Sequence, residues 1–456
     1  LPLQSDSAYL IDASGYKGSA DQVFTPDSEA AIAQILRDAS AGGIPVTISG
    51  AGTGLTGGRV PHGGWIVSLE RLNKIEIHAG YAVCGAGALL QDLQAAAAPG
   101  KQFYAPDPTE WGASLGGTIA TNASGSRSFQ YGDTRRHVRA LHVVLASGEI
   151  LKLKRGDKAP FDLPLIDPPH TTKNTAGYFL RPDMDFLDLF IGSEGTLGIV
   201  TEAELTLLPA PDSLFTGVVF FDSDDAALEA VKAWRPLKYE ALRMLEYMDA
   251  ASLKLLRPRF PEIPAEAQAA LLIEQEVGKG GDVEEAWIDR LEAANALLEA
   301  SWFATSAADR ERFRKFRHAV PEVVNDLIRK NSLTKMGSDF AVPIEKNGAM
   351  LRIYRDTLDR EFPGQYVVFG HIGDAHLHAN ILPANDAEWQ RAKKLMTQFA
   401  SEAVAMGGTV SAEHGLGKRK KDLLPIQFGP EQIAAMKTVK ARLDPQNLLG
   451  QGTLFY

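Results

Sequence analysis

A single cysteine, Cys84, stands in a chain of 456 residues, so an intramolecular disulfide framework and cysteine-based zinc modules are both excluded. Its flanks, Tyr81-Ala-Val-Cys-Gly, read as a buried strand, which makes it a packing group and not a nucleophile. No run of about 18 apolar residues occurs, as a membrane-spanning helix would require. No charged segment followed by an apolar stretch opens the chain. A cytoplasmic protein is the expectation, with peripheral contact at a membrane left open. An excess of positive charge is also missing: the net charge is −10, the wrong sign for a nucleic-acid binder. The short basic clusters Lys152–Arg155 and Lys418–Lys421 read as solvated surface. Internal repeats and low-complexity segments are absent.

The length implies two or more domains. Pro26-Asp-Ser-Glu-Ala opens a helix whose apolar face is Ile32, Ile35, Leu36 and Ala39, and Gly42-Gly43 stop it. Strands are expected at Pro45–Ser49 and Trp65–Leu69, a small-residue helix at Ala88–Ala97, and a hairpin from Leu141–Leu145 through Ser147-Gly148 to Glu149–Leu153. Lys154–Thr175, rich in Pro, Asp and Lys, reads as a long loop. After Pro209 the order is strand Leu214–Phe221, helix Ser223–Trp234, strand Leu271–Glu276 and helix Val283–Ala300. That order predicts an α+β chain in which a second sheet carries helices on one side.

Ser49-Gly-Ala-Gly-Thr-Gly-Leu-Thr-Gly-Gly58 contains G-x-G-x-x-G at Gly52, Gly54 and Gly57. A dinucleotide fingerprint needs a helix to begin there, and the following Gly58, Pro61, Gly63 and Gly64 prevent one. A Rossmann domain is therefore not expected. Consecutive glycines can still converge backbone N–H groups on an anion; a tight surface turn is the competing reading. Pro106-Asp-Pro-Thr-Glu-Trp-Gly-Ala-Ser-Leu-Gly-Gly-Thr-Ile-Ala-Thr-Asn-Ala-Ser-Gly125 and Phe190-Ile-Gly-Ser-Glu-Gly-Thr-Leu-Gly-Ile-Val-Thr201 add further runs of small residues. Such runs suit backbone lying close to a large flat ligand.

A second concentration is His371, His376 and His378, three of the ten histidines inside eight residues, in GHIGDAHLHANI. Residues two apart on a strand share a face, and the Gly373-Asp374 turn can fold His371 over it. Three imidazoles suit Zn, Fe, Co or Mn and not Mg or Ca; polar filling of a strand is the bland alternative. Ser411-Ala-Glu-His-Gly-Leu-Gly-Lys418 sets a carboxylate beside an imidazole in a Gly-flanked loop.

SGAGTGLTGG, PDPTEWGASLGGTIATNASG, YGDTRRHV and FIGSEGTLGIVT resemble the flavin-binding domain of the vanillyl-alcohol-oxidase superfamily, and within it the D-2-hydroxyacid dehydrogenases. The resemblance covers nearly the whole chain. It implies a two-subdomain FAD-binding domain at 1–210, a ferredoxin-like substrate (cap) domain with a metal site at 211–406, and a segment at 407–456 that packs back on the FAD domain. FAD would be held without a covalent bond. Its pyrophosphate would lie in Ser49, Gly50, Ala51, Gly52, Thr53, Gly54, Leu55 and Thr56. Pro106, Gly112, Gly116, Gly117, Asn122, Gly125 and Gly132 would line the flavin and ribityl chain, and Glu194, Gly198 and Ile199 the adenosine side.

The resemblance further implies a divalent metal, zinc first and Fe, Mn or Co next, on His371, His378 and Glu413, with His414 as base. Arg317, Lys335 and Asn380 would bind the substrate. Many relatives have Gly-Asn where this chain has Ala375-His376, so His376 stays open as a third ligand, a group behind the ligands, or a substrate contact. The implied reaction is oxidation of a small D-2-hydroxyacid (D-2-hydroxyglutarate, D-lactate or glycolate) by hydride transfer to flavin N5. The electrons would pass to an electron-transfer flavoprotein, a quinone or a cytochrome. A homodimer is one assembly open to it. The competing readings are a flavin-free metal hydrolase using the His/His/Glu set and a non-catalytic flavin subunit of a larger oxidase.

Overall fold

The computed structural model describes residues 7–278, 283–330 and 336–456. Three sheets organise them, beside a two-stranded pairing of Gln102–Phe103 with Leu208–Pro209. The first has three parallel strands, with Trp65–Ser68 between Gln22–Phe24 and Val46–Ser49. Helix Glu29–Gly42 covers it. The Ser28 side chain accepts from the Ala31 N–H, Ile32, Ala33, Leu36 and Ala39 are buried, and Gly43 at φ 61 ends it. Ile35, expected on the same face, is only partly buried against the core.

The second sheet is antiparallel, in the order Ile75–His78, Tyr81–Gly85, Ile199–Thr206, Val138–Val144, Ile150–Lys154. It contains the hairpin read from the sequence and buries Cys84. The Gly50–Gly64 segment forms neither helix nor strand, in keeping with the exclusion of a Rossmann start.

The third sheet has seven antiparallel strands: Trp302–Phe303, Ser213–Phe221, Ala269–Val277, Leu242–Asp249, Tyr366–His371, His376–Ile381 and Met336–Gly337. Helices cover both of its faces, not one as the sequence suggested. Val219, Phe221, Leu271, Ile273 and Leu245 pack with Val231, Trp234 and Trp287. The alternate residues Val218, Phe220, Leu272 and Met244 pack with Leu253, Phe313 and Phe316. The central strands carry the continuous apolar runs Val218–Phe221 and Ala269–Ile273, which need cover on both sides, and all eight residues of Leu242–Asp249 are buried. The helix expected over Val283–Ala300 ends at Ala293. Asn295, at φ 52, turns the chain in the left-handed conformation that Asn tolerates at helix ends.

Two long connections bring the parts together. The Lys154–Thr175 loop carries on to Phe186 without a helix or strand and bonds to the C-terminal segment, Thr175 N–H to the Ser411 carbonyl at 2.8 Å. The chain end returns to the first sheet, where Val46 donates to Leu448 O and accepts from Gly450 N–H. Lys440 Nζ pins this return by donating to Thr196 O at 2.7 Å and Leu449 O at 2.9 Å. Lys418, read as solvated surface, is buried and donates to Gly58 O and Thr453 Oγ1. The loop that carries it folds under the glycine segment.

Candidate active site

One cavity runs along the glycine segments and ends at the imidazole cluster. Gly50, Ala51, Gly52, Thr53, Gly54, Leu55 and Thr56 line it, as do Gly116, Gly117, Gly125, Glu194, Gly198 and Ile199, and its wall continues to His371, Glu413 and His414. The absence of side chains is structural. A Cβ on Gly50 would lie 2.5 Å from Ser114 Oγ, and one on Gly125 would lie 1.9 Å from the Asp107 carbonyl oxygen. Ser114 Oγ also accepts from Ala51 N–H at 3.3 Å, joining two walls. A narrow cradle of exposed backbone fits a pyrophosphate and a flat ring.

The other expected cofactor residues lie behind this wall. Ser49 and Pro106 are buried, and Gly112 lines a neighbouring cleft. Asn122, at φ 48, accepts from Arg135 N–H and donates to Asp133 Oδ2. Gly132 has φ 82, and a side chain there would strike Arg136. The Glu194 carboxylate accepts from Leu416 and Gly417 N–H, both at 2.8 Å. Burial pushes it up to about 7, against those two bonds. It ties the C-terminal loop to the cavity wall. Arg59, which the sequence reading missed, also lines the cavity and donates to Gly50 O at 2.8 Å.

The cluster is built on a hairpin. His371 and His376 are paired residues on strands Tyr366–His371 and His376–Ile381, joined through Ala375 at φ 51. Gly373 at the tip packs so closely on Phe129 that a Cβ would come within 2.6 Å of its ring. The hairpin thereby meets the glycine-rich half. One ligand atom from each of His371, His376, His378 and Glu413 lies within 4.8 Å of the others.

The hydrogen bonds aim these groups. His371 Nδ1 is 2.7 Å from Glu246 Oε1, and its Nε2 is 3.3 Å from Glu413 Oε2. His378 Nδ1 bonds the Ser338 carbonyl at 3.0 Å. Glu413 Oε1 accepts from Lys173 Nζ and Ser124 Oγ, both at 2.6 Å, so Oε2 is the oxygen left for the cluster. His376 is fully buried, and neither ring nitrogen has a hydrogen-bond partner. Its Nε2 stands 3.2 Å from Asp339 Oδ1, in reach but off line. Buried polar atoms are almost always satisfied, so an orphan imidazole among three other donors fits a cation that accepts its lone pair. Three nitrogens and one carboxylate oxygen form a donor set suited to zinc or a neighbouring transition metal.

Where no cation is bound, the neighbouring acids hold a proton on His371 that a cation would displace. Burial lowers His371, but Glu246 and Glu413 outweigh it and carry it up to about 9. Burial and the neighbouring imidazoles His376, His371 and His414 hold His378 well below the ordinary histidine range. Burial raises Glu413, yet His371 and Lys173 overcome it and keep the group well below the usual carboxylate range. His414 lies at the cavity wall. Its Nδ1 is 3.3 Å from Asp339 Oδ1, and its backbone N–H donates to Asp339 Oδ2 at 3.0 Å.

The substrate residues are less uniform. Arg317, on helix Ala307–Lys330, stands behind Glu246, with Nε 3.4 Å from Oε2, and also faces Asp107 at 4.0 Å. Asn380 is buried on the hairpin and donates to His378 O at 3.3 Å. Lys335 lies outside the described residues. Sequence reasoning missed Glu246, Asp339, Lys173 and Ser124, which hold the expected groups in place.

Residues 20–154 match the FAD binding domain family, and residues 210–454 match the family described as FAD linked oxidases, C-terminal domain. The chain belongs to the FAD-linked oxidases. It is 34% identical to a D-lactate dehydrogenase of Anaerostipes hadrus over 444 residues, 93% of this chain and 87% of that one. It is 32% identical to the glycolate oxidase subunit GlcD of Bacillus subtilis, covering 98% and 92%. A D-2-hydroxyglutarate dehydrogenase of Xanthomonas citri pv. viticola is also 32% identical, covering 94% and 88%. Among solved structures, an alkyldihydroxyacetonephosphate synthase superposes with TM-score 0.68 at 17% identity over 95% of this chain and 76% of that one, a likeness of fold. This FAD-linked oxidoreductase combines helix and sheet.

Proposed function

We propose that this FAD-linked oxidase family member oxidises a small D-2-hydroxyacid to the 2-oxoacid with the help of a divalent cation. The observation that carries the reading is the single cavity wall shared by the glycine segments and by His371, Glu413 and His414. The relatives named for D-lactate, glycolate and D-2-hydroxyglutarate support that substrate class. The match to an FAD binding domain speaks against a flavin-free hydrolase. In this reading the chain divides into an FAD-binding domain of two subdomains at 1–210, a ferredoxin-like cap at 211–406 and a returning segment at 407–456.

Bound FAD supplies the acceptor for the hydride, and a carrier other than NAD (an electron-transfer flavoprotein, a quinone or a cytochrome) removes the electrons. The divalent cation, zinc first, supplies positive charge beside the substrate hydroxyl. His371, His378 and Glu413 would hold it, with His376 as a third imidazole. Arg317 and Lys335 fix the substrate carboxylate, Arg317 with a guanidinium that also faces Glu246 and Asp107, and Asn380 is a further substrate contact. His414 takes the hydroxyl proton at Nε2, because Nδ1 faces Asp339.

The test is an anaerobic titration of the purified yellow protein with paired D- and L-2-hydroxyacids, followed by its flavin absorbance. D-isomers bleach the band and L-isomers leave it. A flavin that no 2-hydroxyacid reduces would end this reading.

A further inference from the structure

Glu246 sits in the middle of strand Leu242–Asp249, whose eight residues are all buried and mostly apolar. A carboxylate in such a place must be paired, and this one has a different partner on each oxygen. Oε1 lies 2.7 Å from His371 Nδ1. Oε2 lies 3.4 Å from Arg317 Nε. A carboxylate at Nδ1 keeps the ring hydrogen there and leaves Nε2 as the lone-pair nitrogen, and His371 Nε2 is the atom that faces Glu413 Oε2 at 3.3 Å. His378 makes the corresponding bond to a neutral backbone carbonyl, and the two nitrogens of His376 make none. Among the described residues, then, His371 is the member of the imidazole trio that a carboxylate orients by hydrogen bonding.

We propose that Glu246 is a positioning residue that joins the cation site to the substrate grip: one carboxylate fixes His371 toward the ligand cluster and, through its other oxygen, fixes the Arg317 guanidinium. It rests on the functional reading above, in which His371 is a ligand and Arg317 binds the substrate carboxylate. Arg317 sits on a helix and His371 on a hairpin of the same sheet, and Glu246 on the intervening strand bridges them. Moving either partner disturbs the other.

Glu246→Gln keeps the shape and removes the charge. Chelator competition on the FAD-loaded variant should show zinc affinity weakened about tenfold to a hundredfold, the usual effect of losing the group behind a ligand. The KM for the D-2-hydroxyacid should rise in the same variant. FAD content should match the parent, since Glu246 is not part of the cavity wall. Zinc affinity within twofold of the parent, or a change in only one of the two properties, would overturn the coupling. Nitrogen-15 NMR of the zinc-loaded parent checks it without a variant: His371 should carry its hydrogen on Nδ1, and a hydrogen on Nε2 would refute the proposal even if the variant failed to fold. A parent that takes up neither zinc nor Fe, Mn or Co overturns the functional reading itself, which separates the two failures.

Discussion

Lys173 shows how much of the site rests on single residues that look ordinary in the sequence. Its ammonium is buried, 2.6 Å from Glu413 Oε1, 3.4 Å from Asp374 Oδ2 and 3.1 Å from Gly125 O. Replacing one partner of a buried ion pair leaves the other charge uncompensated, at a cost of about 3–5 kcal/mol. Lys173→Met should lower the denaturation midpoint of the metal-free protein accordingly. Cys84 makes the opposite case. Burial pushes its thiol up to about 12, and the thiolate is the reactive form, so thiol reagents at pH 8 should modify it only after unfolding. Mass spectrometry of native and denatured protein reads the difference.

At the same scale, the clustered residues were legible and their supports were not. His371, His378, Glu413 and His414 fall in two short segments whose composition is unusual, so local pattern suffices to find them. Glu246, Asp339 and Lys173 come from three distant segments, and only the tertiary fold brings them within bonding distance. One signal was available: Glu246 is an acid flanked by Met244, Leu245, Tyr247 and Met248, and a charge inside a strand buried on both faces needs a partner.

At the scale of elements, the turn from strand Leu242–Asp249 into helix Ala250–Leu256 is capped by Asp249, whose side chain accepts from Ser252 N–H at 2.7 Å. Burial raises this carboxyl to about 6, and its second oxygen has no partner. The folded state therefore holds the proton more tightly than the unfolded chain. The stability from this group is full below about pH 4 and is lost as pH rises through about 6. A two-unit shift is worth about 3 kcal/mol at most. Asp249→Asn keeps the cap and should flatten the fall in stability between pH 4 and 6, as denaturant titration at several pH values would show. Local signals of this kind also explain which elements the sequence disclosed. Ser28 and Gly43 bound the first helix and are visible as residues. The helix cover on both faces of the seven-stranded sheet depends on which strands become neighbours, which periodicity alone does not specify.

At the scale of the whole molecule, the C-terminal segment closes the cavity from below. Gly417 has φ +54, and a Cβ there would lie 2.2 Å from the Thr56 carbonyl oxygen, on the glycine loop that lines the cavity. Gly417→Ala is strained in backbone and in space alike. It should displace the loop, lowering the flavin-to-protein absorbance ratio several-fold while leaving the seven-stranded sheet folded by circular dichroism.

The claim that joins all three scales is that cofactor cradle and cation cluster form one reactive site. Stopped-flow anaerobic reduction of the flavin by a D-2-hydroxyacid, before and after removing the cation with chelator and again after restoring zinc, tests it most directly. The account predicts rapid bleaching, loss of at least tenfold in rate on stripping, and recovery on adding zinc back. Bleaching at an unchanged rate in the stripped protein would contradict it.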